Sequence, residues 1–343
     1  MILFRADGNL KIGIGHVMRC LSIADAFRRA GEECIFVLAD ISMRELIGAR
    51  KYSMFILDSN YQQLDDEINE LKIIITKTKP DMVIVDSYFV SKSYLECLRR
   101  MVRLIYIDDL AAFAYPVDIL INYNAYALEL NYKSMYLKES IPYPSVLMGV
   151  KYAPLRADFE DVPKKKQNKV CRKILISTGG SDLIHLAVEF TRYIKSNKDA
   201  REYHLLLGVL NPDKEEVYRL AENIPNLRIH TNVSDMKSLI YSCDMAVSAA
   251  GSTIYEICAC GTPVITYVLA DNQIPGAEAF DRMGMALLCG DLREEEDVGR
   301  KVYDYIEKLS NDYKLRVKIG EKMYEFVDGH GADRIVGELI LND

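Results

Sequence analysis

The chain has 343 residues, half of them apolar and 27% charged, with a formal net charge of −7. That length predicts two domains rather than one core, and the acidic balance argues against a nucleic-acid surface. No apolar run reaches the ~18 residues of a membrane span, no signal-peptide pattern opens the chain, and eight cysteines without metal-ligand spacing suit a reduced, cytoplasmic protein with no stable membrane insertion.

An apolar run, Ile2-Leu3-Phe4, leads through Arg5 and Asp7 into the loop Gly8-Asn9-Leu10-Lys11-Ile12-Gly13-Ile14-Gly15, and then into His16-Val17-Met18-Arg19. Val17, Cys20, Leu21, Ala24 and Phe27 recur at helical spacing until Gly31 offers a stop. The pattern reads as strand, glycine loop, helix, with a histidine in the first helical turn. Glycines admit a ligand close to the backbone, and the helix start favours an anion. His16 is then either a candidate base or a helix-start residue with a satisfied hydrogen bond.

Further strands are expected near 34–39, 52–58, 81–87, 103–108 and 118–123, with helices near 16–30, 65–78 and 91–101. Unbroken apolar runs such as Met82-Val83-Ile84-Val85 suit a parallel sheet covered on both faces. Four of these strands end in polar groups: Asp7 with the glycine loop, Asp86-Ser87-Tyr88, Asp108-Asp109, and Asn122-Tyr123-Asn124-Ala125-Tyr126. One such end is an ordinary cap or turn; four on one rim suit a pocket that hydrogen-bonds a sugar.

Residues 156–172 lose the pattern to charges, Pro163 and Lys164-Lys165-Lys166, and read as a solvated linker. A second series of strands follows near 174–176, 204–207, 227–229, 245–247, 264–267 and 286–288, with three helices after about 294. The expected architecture is α/β: two doubly wound Rossmann-like domains, 1–155 and 173–343, facing across a cleft, with ligands beyond the carboxyl ends of the strands. In the second domain, strand 173–177 runs into Thr178-Gly179-Gly180-Ser181-Asp182, an anion-binding loop by its composition. Strand 244–248 runs into Ala249-Ala250-Gly251-Ser252-Thr253 and a helix, whose start could hold a diphosphate with Ser252 or Thr253 as cap and donor. Glu256, three residues after Thr253, reads either as half of a capping box or as a carboxylate for ribose hydroxyls. Asp271-Asn272-Gln273 follows the next strand.

Strand, small-residue turn, helix with a central Glu, then Gly261-Thr262-Pro263 and the Asn272-Gln273 loop resemble the nucleotide-binding half of GT-B glycosyltransferases. Phe4-Arg5-Ala6-Asp7, Ile12-Gly13-Ile14-Gly15-His16, Asp86-Ser87-Tyr88, Asp108-Asp109, Asn122 to Tyr126, Leu155-Arg156-Ala157-Asp158-Phe159, Gly179-Gly180-Ser181-Asp182 and Asn272-Gln273 fall in an order similar to the UDP-diacetamido-trideoxyhexose hydrolases of pseudaminic acid biosynthesis and their spore-coat polysaccharide relatives. The resemblance spans about residues 1–290. It implies a GT-B fold, a UDP-sugar substrate, and inverting, metal-independent cleavage of the sugar C1–O bond without a cofactor. By the same resemblance His16 is the base, and Asp7, Gly13, Gly15, Arg19, Tyr88, Asn124, Arg156, Asn272 and Gln273 contact the substrate. Gly179, Gly180, Ser181, Gly251, Ser252 and Thr253 hold UDP, with Glu256 on the ribose. Ser181 stands where threonine is expected, and the helical C-terminus is longer than in the compact hydrolases. The histidines are dispersed, so no metal site is expected. A GT-B glycosyltransferase using a UDP-N-acetylated sugar, a hydrolysing UDP-N-acetylhexosamine 2-epimerase and a non-catalytic nucleotide-sugar binder are the competing readings. The oligomeric state is left open.

Overall fold

The computed structural model describes residues 1–197 and 199–341. It divides into two compact units, residues 1–157 with the last helix, and residues 158–329. In unit 1, β1 (Ile2–Ala6), α1 (Gly15–Arg29), β2 (Cys34–Leu38), α2 (Arg44–Ala49), β3 (Ser53–Ile56), α3 (Leu64–Thr78), β4 (Met82–Asp86), α4 (Lys92–Arg99), β5 (Arg103–Ile107), β6 (Ile119–Asn122), α5 (Tyr132–Glu139) and β7 (Ser145–Met148) follow one another. The strands form one parallel sheet in the order β3-β2-β1-β4-β5-β6-β7. Its central strands are apolar except for the buried Arg5 and Asp86: Phe4 stacks on Phe36 with ring centroids 5.1 Å apart and meets Phe27 of α1 edge-on at 6.4 Å. Burying each such ring contributes roughly 1.5–3 kcal/mol.

Unit 2 repeats the plan with β8 (Lys173–Ser177), α6 (Leu186–Ser196), β9 (Glu202–Leu206), α7 (Lys214–Ala221), β10 (Leu227–His230), α8 (Met236–Ser242), β11 (Met245–Ala249), α9 (Thr253–Ala259), β12 (Val264–Val268), α10 (Ile274–Arg282), β13 (Leu287–Asp291), α11 (Val298–Asn311) and α12 (Tyr313–Phe326). Its parallel sheet has the order β10-β9-β8-β11-β12-β13. In each sheet the strand order reverses once, between β1 and β4 and between β8 and β11, and these switch points are where doubly wound sheets receive ligands.

Three short elements, α2, α5 and β7, lie outside the sequence expectation. In α5 the inward stripe is made of tyrosines, Tyr132 and Tyr136, whose hydroxyls bond Asp108 and the Tyr115 carbonyl, so no aliphatic periodicity marks it. The stretch 160–172 has no helix or strand and Lys164 and Lys166 are exposed, but it is pinned to unit 2 at several points. Lys165 is half-buried and bonds the Cys243 carbonyl and Thr262 Oγ1 (2.9 Å), and burial pushes its ammonium down to about 8. Gln167 Nε2 donates to Gly261 O at 2.7 Å, and the fully buried Arg316 of α12 donates to the carbonyls of Asn168 (3.0 Å) and Lys169 (2.9 Å). Backbone that would otherwise be orphaned is thereby paired.

The three C-terminal helices expected from sequence are present as α11, α12 and α13 (Gly331–Leu341). The sequence reading placed all three with the second domain; α13 instead packs on α1 in unit 1. Ala332, Ile335, Val336 and Leu339 bury its inner face, and Gly331 lies against the Ala153 backbone where a Cβ has no room.

At the free edge of the unit 2 sheet, His204 Nδ1 on β9 lies 2.9 Å from His230 Nε2 on β10, their rings stacked. Glu202, Arg228 and Lys173 are the charged neighbours. Burial lowers both imidazoles, and for His204 the second ring lowers it further. The folded state therefore disfavours their protonation, so this pair stabilises above about pH 6.5, the unfolded value, and that stabilisation is lost as pH falls below it. The melting temperature of His204→Gln is expected to fall less than that of wild type between pH 7 and pH 5; parallel melting curves would show that the pair carries no such linkage.

Candidate active site

The register Ala6↔Asp86 brings the end of β4 beside the end of β1, where the glycine loop begins. That loop is self-supporting. Asn9 and Gly13 exchange backbone hydrogen bonds of 3.0 and 2.8 Å, and Asn9 Oδ1 accepts from the Lys11 and Ile12 amides. Gly13 has φ of +73°, a conformation that a side chain would strain. Gly15 then opens α1, and Ile14 at the N-cap supplies no side-chain capping bond.

His16 and Arg19, one helical turn apart, both reach Asp86. Asp86 Oδ1 lies 2.6 Å from His16 Nδ1 and accepts from Arg19 Nη2 at 2.6 Å, while Oδ2 accepts from Arg19 Nε at 2.6 Å. Burial pushes the Asp86 carboxyl up, but Arg19 and His16 outweigh it and hold it well below the usual carboxylate range. An ionised carboxylate at that distance favours the imidazole proton on Nδ1 and leaves the lone pair on Nε2. The Tyr88 ring meets the imidazole edge-on, with centroids 4.4 Å apart.

A second carboxylate completes the cluster. Asp109 Oδ1 accepts from Arg19 Nη1 (3.0 Å) and Asn124 Nδ2 (2.8 Å), and Oδ2 from Tyr88 OH (3.0 Å), with Arg19 Nη2 at 2.8 Å. Tyr123 OH accepts from Arg19 Nη1 at 2.9 Å. Four expected site residues, His16, Arg19, Tyr88 and Asn124, are thus brought together, and Asp86 and Asp109 bind them. The sequence places both aspartates on the polar rim, at the ends of adjacent strands β4 and β5, but gives neither an individual role. Beneath them, buried Asp108 accepts from the Leu110 amide, Tyr115 OH and Tyr132 OH, anchoring the loop that carries Asp109.

Asp7 is not turned to a ligand. Its Oδ2 binds Arg5 and its Oδ1 accepts from the Ala39 amide at 2.7 Å. Arg5 in turn bonds both oxygens of the buried Glu67, so this group braces the root of the glycine loop. Arg156 is half-buried at the end of the first segment of unit 1.

In unit 2 the two expected loops lie at the switch point, following strands paired through Ser248↔Ser177. Gly179 has φ of +78°, and the carbonyls of Gly179 and Gly180 fill the space where a Cβ on Gly208 would stand, so a glycine after β9, unremarked in the sequence, is required by the loop. Asp182 accepts from the Leu186 and Ala187 amides, both at 2.9 Å, and from Asn211. Burial raises its carboxyl to about 6 despite those bonds. The start of α6 is therefore capped from within; in the loop before it Gly179 and Gly180 are half-buried and Ser181 is buried. After β11, Ser252 sits at the N-cap of α9 but makes no side-chain capping bond. Thr253 is already helical, so Glu256 stands one residue beyond capping-box spacing, and the box is not formed. Gly251, Ser252, Thr253 and Glu256 are all half-buried. Asn272 and Gln273 lie in a 3-10 turn after β12, where Gln273 Oε1 accepts from the Leu269 amide at 2.9 Å and Arg293 braces Asp271.

No family model matches the chain. The spore coat polysaccharide biosynthesis protein SpsG of Bacillus subtilis is 23% identical over 98% of this chain and 96% of its own length. The UDP-2,4-diacetamido-2,4,6-trideoxy-beta-L-altropyranose hydrolase of Campylobacter jejuni is 25% identical over 74% of this chain and 86% of its own. Among solved structures, MurG of Acinetobacter baumannii superposes with a TM-score of 0.66 at 14% identity, over 100% of this chain and 99% of that one. The chain thus has the GT-B fold, built from two parallel-sheet α/β domains, and is similar in sequence to SpsG and to the diacetamido-trideoxy-altropyranose hydrolase.

Proposed function

We propose that this chain is a UDP-sugar hydrolase that cleaves the C1–O bond of a UDP-linked diacetamido-trideoxyhexose, giving UDP and free sugar for surface polysaccharide or nonulosonic acid biosynthesis in the cytoplasm. The observation that carries the reading is the His16–Asp86 pair at the switch point of unit 1. The sequence similarity to the hydrolase and to SpsG supports the substrate class.

In this reading water gives a proton to His16 Nε2 as its oxygen bonds to C1, and the C1–O electron pair leaves with the β-phosphate of UDP. Asp86 stabilises the imidazolium that forms and keeps the base in the tautomer it needs. One displacement inverts the anomeric carbon. Both aspartates of the cluster are locked onto Arg19, so neither is available as a nucleophile or as half of a flanking carboxylate pair. Unit 2 is assigned the nucleotide: Gly179, Gly180, Ser181, Gly251, Ser252 and Thr253 toward the diphosphate, and Glu256 toward the ribose. No step is routed through a metal. Tyr88, Asn124, Asn272 and Gln273 are assigned to the sugar or diphosphate.

Hydrolysis of UDP-N-acetylated sugars in ¹⁸O-water with EDTA present tests this directly. Label should enter the sugar and not UDP, and the first sugar formed should have the inverted anomeric configuration. Label in the UDP phosphate would mean attack at phosphorus, and turnover that appears only with an added sugar or lipid acceptor would mark the chain as a glycosyltransferase, the activity of the fold's transferase members. A product epimerised at C2 would mark a 2-epimerase.

Replacing Asp86 with Asn keeps the shape but no longer dictates which imidazole nitrogen carries the proton. Its kcat should fall about 100-fold or more, as should that of His16→Ala, with UDP affinity nearly unchanged. A variant Asp86→Asn retaining most of its kcat would remove the tautomer argument. Glu256→Ala should weaken UDP binding by about 1–3 kcal/mol, the usual cost of deleting a charged hydrogen-bond partner, in calorimetric titration. Unchanged affinity with a lowered melting point would assign Glu256 to the architecture of α9.

A further inference from the structure

The cluster around Arg19 holds two buried carboxylates against one guanidinium. With His16 neutral, it carries one negative charge in excess; with His16 protonated, it is balanced. Asp86 already accounts for the orientation of the imidazole, through the bond to Nδ1. The side chain of Asp109 is directed at Arg19 rather than at His16 and takes four polar contacts, from Arg19 twice, Tyr88 and Asn124. Tyr126 OH adds a 2.6 Å bond to the Asp109 carbonyl and fixes the backbone. Burial raises the Asp109 carboxyl, but Arg19 outweighs it and the group is held below its ordinary value, hence ionised. His16 faces Arg19 on α1, Asp86 on β4 and Tyr88 after β4, and feels Asp109 after β5; Cys20 on α1 and Tyr123 after β6 complete the cluster through Asp86 and Arg19.

We infer that Asp109 is a positioning residue that acts at two removes: through Arg19 it supplies the excess negative charge that receives the proton taken by His16, and through Tyr88 it fixes the ring against which the imidazole packs. A second carboxylate is costly in so small a buried space, because Asp86 already balances the charge of Arg19 through the Nε–Nη2 fork, even though the remaining N–H groups go to Asp109 and Tyr123. The charge has a use only when a cation forms beside it. In the low dielectric of the site that counter-charge is already in place before the proton moves, so no solvent needs to reorganise. The inference rests on the reading of His16 as the base.

The test is Asp109→Asn, which keeps the side-chain shape and removes the charge, beside Asp109→Glu and Tyr88→Phe, which keep it. For Asp109→Asn, kcat should fall about 3- to 10-fold, KM for the UDP-sugar should stay within about twofold, and the acidic limb of the kcat–pH profile should move to lower pH by up to about one unit, a tenfold change in proton affinity. Asp109→Glu and Tyr88→Phe should lose rate while keeping the acidic limb of wild type. An unmoved limb in Asp109→Asn, or the same displacement in Tyr88→Phe, would overturn the inference, because contacts rather than charge would then account for Asp109. If Asp109→Asn does not fold, Asp109→Ser replaces it; failure of both neutral variants to fold would make Asp109 a structural residue and overturn the inference as well. A second readout needs no turnover: in the imidazole ¹⁵N spectrum, with His16 assigned from His16→Gln, the protonated fraction at pH 6 should be smaller in Asp109→Asn than in wild type. Wild type that releases no UDP from any UDP-sugar would sink the hydrolase reading, while this spectrum would still decide for or against Asp109.

Discussion

One buried carboxylate, Asp86, organises the amino-terminal unit. It is the last residue of β4, it pairs in register with Ala6 at the end of β1, and it holds His16 and Arg19 from the helix that follows β1. Three ionisable groups are thereby taken out of water, which is tolerable only because each satisfies the others. The geometry of the site follows from that constraint. Since the two helix residues are one turn apart, a single acceptor can bind both, and the helix is fixed in rotation about its axis as well as in position. Loops after β5 and β6 then close on the far side of the same guanidinium through Asp109, Tyr123 and Asn124.

Unit 2 solves a different problem with the same scaffold. Its switch-point loops present backbone and small side chains rather than ionised groups, and its conspicuous carboxylate, Asp182, is spent on the amides of α6. A loop rich in amides suits a diphosphate, while a site rich in paired charges suits proton transfer. The polarity of the two rims, read together, is the physical basis for assigning the nucleotide to one and the base to the other.

Much of this was legible in the sequence for a simple reason: in a parallel α/β domain the functional groups follow the strands, so an apolar run ending in Asp, Asn or glycine announces both the fold and the rim. His16, Tyr88 and Asn124 stand in such strand-end stretches, whereas Arg19, inside α1, was singled out only through the resemblance. What local pattern could not show is who spends a side chain on whom. Asp7 looked as available as Asp86, yet its oxygens go to Arg5 and the Ala39 amide. Glu256 read either as half of a capping box or as a ribose partner, and the box is removed because the helix begins one residue earlier than its spacing requires. Gly208 carries no motif, because its requirement comes from carbonyls nearly thirty positions away. Short elements such as β7, four residues after two prolines, fall below the length at which periodicity speaks.

The return of α13 to unit 1 bears on the order in which the protein is made. Unit 2 is one continuous stretch, whereas unit 1 lacks α13 until all of unit 2 has been synthesised. Until then the surface of α1 that α13 covers is bare, and Asp333, which pairs with Arg29, and the Leu339 carbonyl that Arg103 bonds are not yet made. Domains usually complete their folding in the order of translation; here the first to begin is the last to finish.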